Sequence, residues 1–173
     1  MDAIATVLQK IGLEKPTWKT VIACASSEVD LSAISLWQTW SKLEDWPAWS
    51  KPLHVATRWS GKAGWEVGAK FEQDLNLGFP LGKISSAETV GALMPGQSVM
   101  WWKDDKGIRS CHIWAFETLS DSRTRITNVE VFHGLAMGLV KPLVAARWQH
   151  MFEQSVDGLI QRAQTQSTPA NSQ

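Results

Sequence analysis

Residues Arg109–Gly134, RSCHIWAFETLSDSRTRITNVEVFHG, decide how this chain is read. Two runs rich in β-branched and aromatic residues, Arg109–Leu119 and Thr124–Phe132, flank a polar Ser120–Arg123 turn, which is the pattern of an antiparallel hairpin. After Gly134 the hydrophobic period changes from two to 3.6. Val140, Val144, Trp148, Met151, Phe152, Val156, Leu159, Ile160 and Ala163 then trace one stripe of a long helix. Pro142 is expected in the first turn of that helix, where its missing N–H leaves no bond unmade.

Working back from the hairpin, Leu81–Val90 and Ser98–Trp102 are strand-like and are joined by a Met94-Pro95-Gly96 turn. Asp104-Asp105-Lys106-Gly107 forms the next turn. Ala69–Leu77 alternates weakly, with Phe71, Leu75 and Leu77 on one side, and Leu53–Trp59 is strand-like. Between them Gly61, Gly64 and Gly68 punctuate a loop that is expected to be flexible and to sit at a cavity mouth. Thr20–Val29 is the first strand. Asp30 or Ser32 then starts a short helix carrying Leu31, Ile34, Leu36, Trp37 and Trp40. Asp45-Trp46-Pro47 breaks it, and a second helical turn holds Trp46 and Trp49. At the front, Asp2 caps an amphipathic helix with Ile4, Val7, Leu8 and Ile11, ended by Gly12 and expected to dock on the domain's own surface. The order is one strand, two short helices, six strands in succession and one long helix. It predicts an α+β fold, a curved antiparallel sheet of about seven strands gripping the C-terminal helix, with a cavity between them. Residues 1–16 are expected to form the appendage and its linker, 17–164 the sheet-and-helix domain, and 165–173 a disordered polar tail.

Composition narrows the function. Seventeen Lys and Arg balance seventeen Asp and Glu, which argues against a general nucleic-acid binder. Eleven Trp and five Phe with no Tyr supply wide apolar walls and no phenol hydroxyl. The N-terminus lacks the features of a secretory signal, and no stretch approaches the roughly 18 apolar residues of a membrane span. A cytoplasmic protein without integral membrane association is the expectation. HExxH, GxSxG, Walker and post-strand GxGxxG patterns are absent, and the four histidines lack ligand spacing, so neither metal nor cofactor is expected.

Three stretches resemble the START-like (SRPBCC) superfamily in its polyketide cyclase/dehydrase branch, helix-grip proteins related in fold to the major birch-pollen allergen. The first is Glu28-Val29-Asp30 with Leu36-Trp37 and Leu43-Glu44-Asp45-Trp46-Pro47-Ala48-Trp49. The second is His112-Ile113-Trp114-Ala115-Phe116 with Thr124 to Gly134. The third is Phe152 to Leu159. The resemblance covers Trp18 to about Ala163 and implies nothing for the N-terminal helix. It implies a sheet order in which the first strand neighbours the last and the last neighbours the second-last. Cys24 and Cys111 would then lie two strand spacings apart, roughly 9–10 Å, beyond the roughly 7 Å reach of a disulfide, so two free thiols are expected.

The hairpin carries the candidate chemistry. His112, Trp114 and Phe116 share one strand face; Asn128, Glu130 and Phe132 share one face of the next. A three-residue loop at Ser120–Ser122 keeps even register and makes His112 and Glu130 neighbours on the concave side. Read functionally, the pair orients a ligand or moves a proton, so Glu130 and His112 are the candidate catalytic residues. Read structurally, it is a buried bridge, and a one-residue slip would turn both outward. Trp46, Trp49, Trp114, Phe116, Phe132, Val144 and Trp148 are candidate ligand walls, with Asn128 as a polar anchor and Arg147 placed to reach a ligand carboxylate. Trp101 and Trp102 point to opposite faces, so one ring leaves the concave side to meet a partner subunit or the N-terminal helix.

Three readings follow. The first is binding of a small hydrophobic molecule (lipid, isoprenoid, aromatic or polyketide-like) in the internal cavity. The second is a cofactor-independent cyclase or dehydratase using Glu130 and His112 as an acid–base pair. The third is a protein-interaction module with an incidental cavity, which an interior filled by side chains would favour. Monomer and homodimer both stay open.

Overall fold

In the computed structural model, which describes residues 2–51, 53–105 and 107–167, Thr20–Val29 forms strand β1, the residues with the expected Val/Ile run. The chain as a whole runs α1 (Ala3–Lys10), β1, α2 (Ala33–Trp40), a 3-10 turn (Leu43–Asp45), α3 (Trp46–Trp49), β2 (His54–Trp59), β3 (Lys70–Gly78), β4 (Gly82–Met94), β5 (Ser98–Asp105), β6 (Ile108–Ser120), β7 (Arg123–His133) and α4 (Leu135–Ser167). Ser32 is the N-cap of α2, accepting from the Ser35 amide at 3.3 Å. The seven strands make one antiparallel sheet in the order β1-β7-β6-β5-β4-β3-β2. This is the order in which the first strand meets the last, and it leaves Cys24 and Cys111 as free thiols on either side of β7.

Side-chain parity divides the molecule into two cores. On the concave side, α4 buries Val144, Trp148, Met151, Phe152, Val156, Leu159 and Ala163 against inward residues of the sheet, including Val21, Ala23, Trp114 and Phe116. On the convex side, Cys111, Ile113, Val129 and Val131 are covered by Val7, Leu8 and Ile11 of α1 and its C-terminal end. The N-terminal helix therefore docks on the domain's own sheet. Asp2 caps it by accepting from the amides of Ile4 (3.0 Å) and Ala5 (3.2 Å). Gly12 closes it in the left-handed region at φ +74°, and Arg109 Nη1 donates to the Ile11 carbonyl at 2.6 Å. Trp101 is buried on the concave side, while Trp102 faces outward and lies under α1, with Lys10 Nζ 3.5 Å from its ring centroid.

Several local expectations change. Pro142 does not sit in the first turn of α4. The helix starts seven residues earlier, at Leu135, so Pro142 is internal and the Gly138 carbonyl loses its intrahelical donor. The β6–β7 connection is a two-residue turn at Asp121–Ser122 plus a register shift beside Leu119, rather than a three-residue loop, and the extra residue preserves the even register. β5 continues through Asp104 and Asp105, so the expected turn is shorter; Lys106 lies outside the described residues. The helix extends to Ser167, and the remainder of the expected polar tail, 168–173, lies outside the described residues. Among the described residues, no helix is long and apolar enough to cross a membrane.

Candidate functional site

The space between sheet and helix has two ends of different character. The end closed by α2 and α3 is filled. Trp40, Trp46, Trp101, Trp114, Phe71 and Phe116 are all buried there. Trp40 lies 4.5 Å from Trp65 and 5.2 Å from both Trp37 and Trp46, centroid to centroid, and Trp46 stacks on Trp65 at 5.9 Å. Two indole N–H groups tie the cluster to backbone: Trp46 Nε1 donates to the Trp40 carbonyl and Trp65 Nε1 to the Ser41 carbonyl, each at 2.7 Å. The glycine-punctuated loop is thus pinned at its centre by Trp65, against the expectation of a flexible flap at a cavity mouth. An indole that packs among four aromatic rings outweighs the freedom of the flanking glycines.

The other end keeps a small pocket. Its walls are Leu53, Leu75, Leu77, Phe132, Trp148, Met151 and Phe152, and its polar groups are His54, Gln73, His112 and Glu130. The space open to the centre of a water molecule is ≈ 20 Å³, and one water needs roughly 10–15 Å³ on that measure. Of the sequence candidates, His112, Glu130, Phe132 and Trp148 line this pocket. Trp46, Trp49, Trp114 and Phe116 belong to the aromatic packing, and Val144 is buried in the helix–sheet core. Asn128 is buried beside His112, and Arg147 is exposed with its guanidinium against Gly78.

His112 and Glu130 are directly paired across β6 and β7. Glu130 Oε2 lies 3.2 Å from His112 Nδ1, and Asn128 Oδ1, diagonal on the same face, lies 2.6 Å from Nε2. With Nε2–H donating to Asn128, Nδ1 and the carboxylate share the next proton between them. The imidazole is held among Trp101, at 4.4 Å, and Phe152, at 5.4 Å. The pair can hold a proton at Nδ1 or Oε2 and present the free carboxylate oxygen to the pocket.

A second polar chain crosses the pocket floor. Ser155 Oγ on α4 is 2.6 Å from Ser50 Oγ, Ser50 Oγ is 2.8 Å from His54 Nδ1, and His54 Nε2 is 3.1 Å from Gln73 Oε1. Gln73 Nε2 donates to Glu88 Oε1 at 3.4 Å, and Lys103 Nζ reaches the same oxygen at 3.1 Å. Ser155 Oγ also donates to the Met151 carbonyl at 2.9 Å, so its one proton is shared between that oxygen and Ser50 Oγ; Ser50 then donates to Nδ1, Nε2–H donates to Gln73 Oε1, and Gln73 Nε2 donates to Glu88. Burial pushes the His54 pKa down to about 3; the Gln73 bond opposes the shift and nearby His112 adds to it. His54 is therefore a neutral imidazole at ordinary pH. Five buried side-chain atoms lack a hydrogen-bond partner among the described residues, Glu88 Oε2 and the indole Nε1 of Trp40, Trp49, Trp101 and Trp148. Among the described residues, no three His, Cys, Asp or Glu side chains converge as a metal site requires.

The His54 chain was not singled out from sequence, though two signals for it were present. Gln73 interrupts the apolar face of β3 between Phe71 and Leu75, and Ser155 interrupts the stripe of α4 between Met151 and Leu159.

Comparison with protein-family models finds no match, and neither does comparison with curated protein sequences. Solved structures match closely in shape. A protein from Thermus thermophilus superposes with TM-score 0.68 at 14% identity, covering 85% of this chain and 99% of its own. The Zhui aromatase/cyclase from a Streptomyces species does so with TM-score 0.61 at 14% identity, covering 89% and 99%. A START superfamily protein from Mycobacterium smegmatis gives 0.63 at 12% identity, covering 85% and 99%. At such identities the likeness is one of fold, and that fold is the helix-grip architecture of the START-like, SRPBCC-type proteins.

Proposed function

We propose that the protein binds a small, mainly apolar molecule bearing one hydrogen-bonding group, inserted between β3, β7 and α4. The observation that carries this reading is the pocket itself: His112, Glu130, His54 and Gln73 converge at the base of walls that are otherwise Leu, Phe, Trp and Met. The ligand's polar group meets the carboxylate of Glu130, and the buried Trp148 N–H supplies a further donor beside it. The closed pocket holds about one water, so entry requires Phe132 and Trp148, whose rings meet at 4.9 Å, to part. Ligand burial drives binding at roughly 25 cal/mol per Å² before ordering costs.

A second reading is supported by the His112–Glu130 geometry together with the aromatase/cyclase among the similar folds: the same pair acts as acid and base in a cofactor-independent cyclisation or dehydration. The filled aromatic end limits either reading to small ligands, because lipid-sized molecules would have to displace Trp46 and Trp114.

The test is a ligand-observed NMR screen of small aromatic, isoprenoid and short acyl compounds, repeated with Glu130→Gln and Trp148→Ala. Binding weakened by Trp148→Ala is expected. Retained affinity with lost turnover in Glu130→Gln selects the enzyme reading. Hits that ignore both substitutions sink the site assignment.

A further inference from the structure

The two halves of α4 differ in the face they turn to solvent. From Glu153 onward that face is polar, with Glu153, Asp157, Gln161, Arg162 and Gln164. The first half, LAMGLVKPLVAARW, is apolar nearly all round. Its inward side, Met137, Val144 and Trp148, is buried in the core. Its outward side carries Leu135, Leu139 and Leu143 at i, i+4 and i+8, exposed by 59%, 69% and 59%. Three solvated leucines in one row need an occupant.

The flanks extend the patch. Trp18, 58% exposed, lies against Gly138, where an added Cβ would come within 2.5 Å of its ring. On the other flank the Arg147 guanidinium lies against Gly78, so the β3–β4 turn and Phe79, 78% exposed, adjoin the helix one turn beyond Leu143. From Leu135 to Arg147 the face is roughly 18 Å long at 1.5 Å per residue.

Its charge is one-sided. Lys19 and Arg147 border it, and neither is in an ion pair among the described residues. The segments 15–27, 75–87 and 131–152 that build it contain no Asp or Glu. Asp104 and Asp105 adjoin only one end, where the β5–β6 turn touches Gly134, and Asp104 lies opposite Arg109 there. Exposed Leu and Phe, a Trp at the margin and a cationic border are the composition of a surface that lies in a bilayer interface. Phe132, Trp148 and Leu77 of the pocket belong to these same segments.

We propose that this face docks on an anionic lipid surface, with Leu135, Leu139, Leu143, Trp18 and Phe79 entering the interface and Lys19 and Arg147 meeting headgroups. The proposal does not depend on the pocket holding a ligand.

The test is co-sedimentation of the full chain with phosphatidylcholine vesicles made with and without phosphatidylglycerol, at low and high salt. Binding to the anionic vesicles that salt weakens is expected. Leu139→Glu/Leu143→Glu lowers it by at least about tenfold, and Lys19→Glu/Arg147→Glu lowers it severalfold. These positions are at the surface, and unchanged near-UV circular dichroism verifies that the variants are folded. Trp18→Phe removes a blue shift in emission seen with vesicles. Wild-type protein that ignores anionic vesicles, or leucine variants that bind as well as wild type, overturns the proposal. So does sedimentation velocity showing a wild-type dimer that the leucine variant dissociates, which assigns the face to a second copy.

Discussion

His54 Nε2 and Gln73 Oε1 meet at 3.1 Å beneath the pocket, and this contact joins a helix-side serine pair to a buried carboxylate on β4. Because burial holds His54 neutral down to about pH 3, the folded state binds fewer protons than the unfolded chain between there and the ordinary histidine pKa near 6.5. Stability is therefore full above about pH 6.5 and declines as pH falls toward 3. The slope from this residue approaches about 1.4 kcal/mol per pH unit. Urea melts between pH 7 and 5 measure it, and His54→Gln should flatten that window. An unchanged slope would show that His54 titrates normally.

Gln73 is the link whose loss strands a buried donor. Gln73→Leu leaves His54 Nε2–H without a partner, at a cost of roughly 1–3 kcal/mol, while Glu88 Oε1 keeps Lys103 Nζ and Ser86 Oγ. Denaturant unfolding should show a loss larger than Leu75→Ala-type trimming of the pocket wall would suggest from area alone. A neutral result would mean that the chain is bridged in another way.

Trp65 is predicted to hold the 60–69 loop. Trp65→Phe keeps the ring packing and removes the donor to the Ser41 carbonyl, costing roughly 1 kcal/mol; Trp65→Ala removes both and should cost roughly 3–5 kcal/mol. Limited proteolysis of the Ala variant should cut within residues 60–69. Cleavage of wild type at the same rate would contradict the pinning.

The thiols report on α1. Cys111 is fully buried beneath it, and burial with nearby Glu130 pushes its pKa up to about 12, whereas Cys24 is half-buried and raised by burial less strongly. A thiol reagent should modify Cys24 slowly and Cys111 not at all in native protein, and both in denaturant. Val7→Asp places a charge under the helix and should open Cys111 to modification. No thiol under denaturing conditions would refute the strand order.

Gly158 is where α4 passes closest to α3. A Cβ there would stand 1.9 Å from the Trp49 carbonyl oxygen, a backbone atom that cannot swing away. Gly158→Ala should destabilise by roughly 1–3 kcal/mol despite better helix propensity, read as a lowered Tm. A raised Tm would mean the two helices are looser than this contact.

Much of the fold was legible along the chain because it rests on local periodicity. Alternation in Arg109–Leu119 and Thr124–Phe132 set their inner faces, and the shift to a 3.6 period after Gly134 announced α4. The pairing of His112 with Glu130 also followed from parity, since the residue added beside Leu119 kept the register. The first turn of α4 was misplaced at Pro142 because a proline's missing N–H is a weak signal against a helix packed on a sheet.

What only tertiary structure decided is how the interior is shared. Sequence counts the indoles but cannot say that Trp65, from a loop between β2 and β3, folds inward to stack on Trp40 and Trp46 and fill one end of the grip. Nor can it bring Ser50, His54, Gln73, Glu88 and Ser155 into one row, because they come from five separate segments and each is an ordinary polar residue in its own. Periodicity reports which face of an element is buried. Which buried faces meet, and how much space is left between them, depends on contacts between residues more than a hundred positions apart.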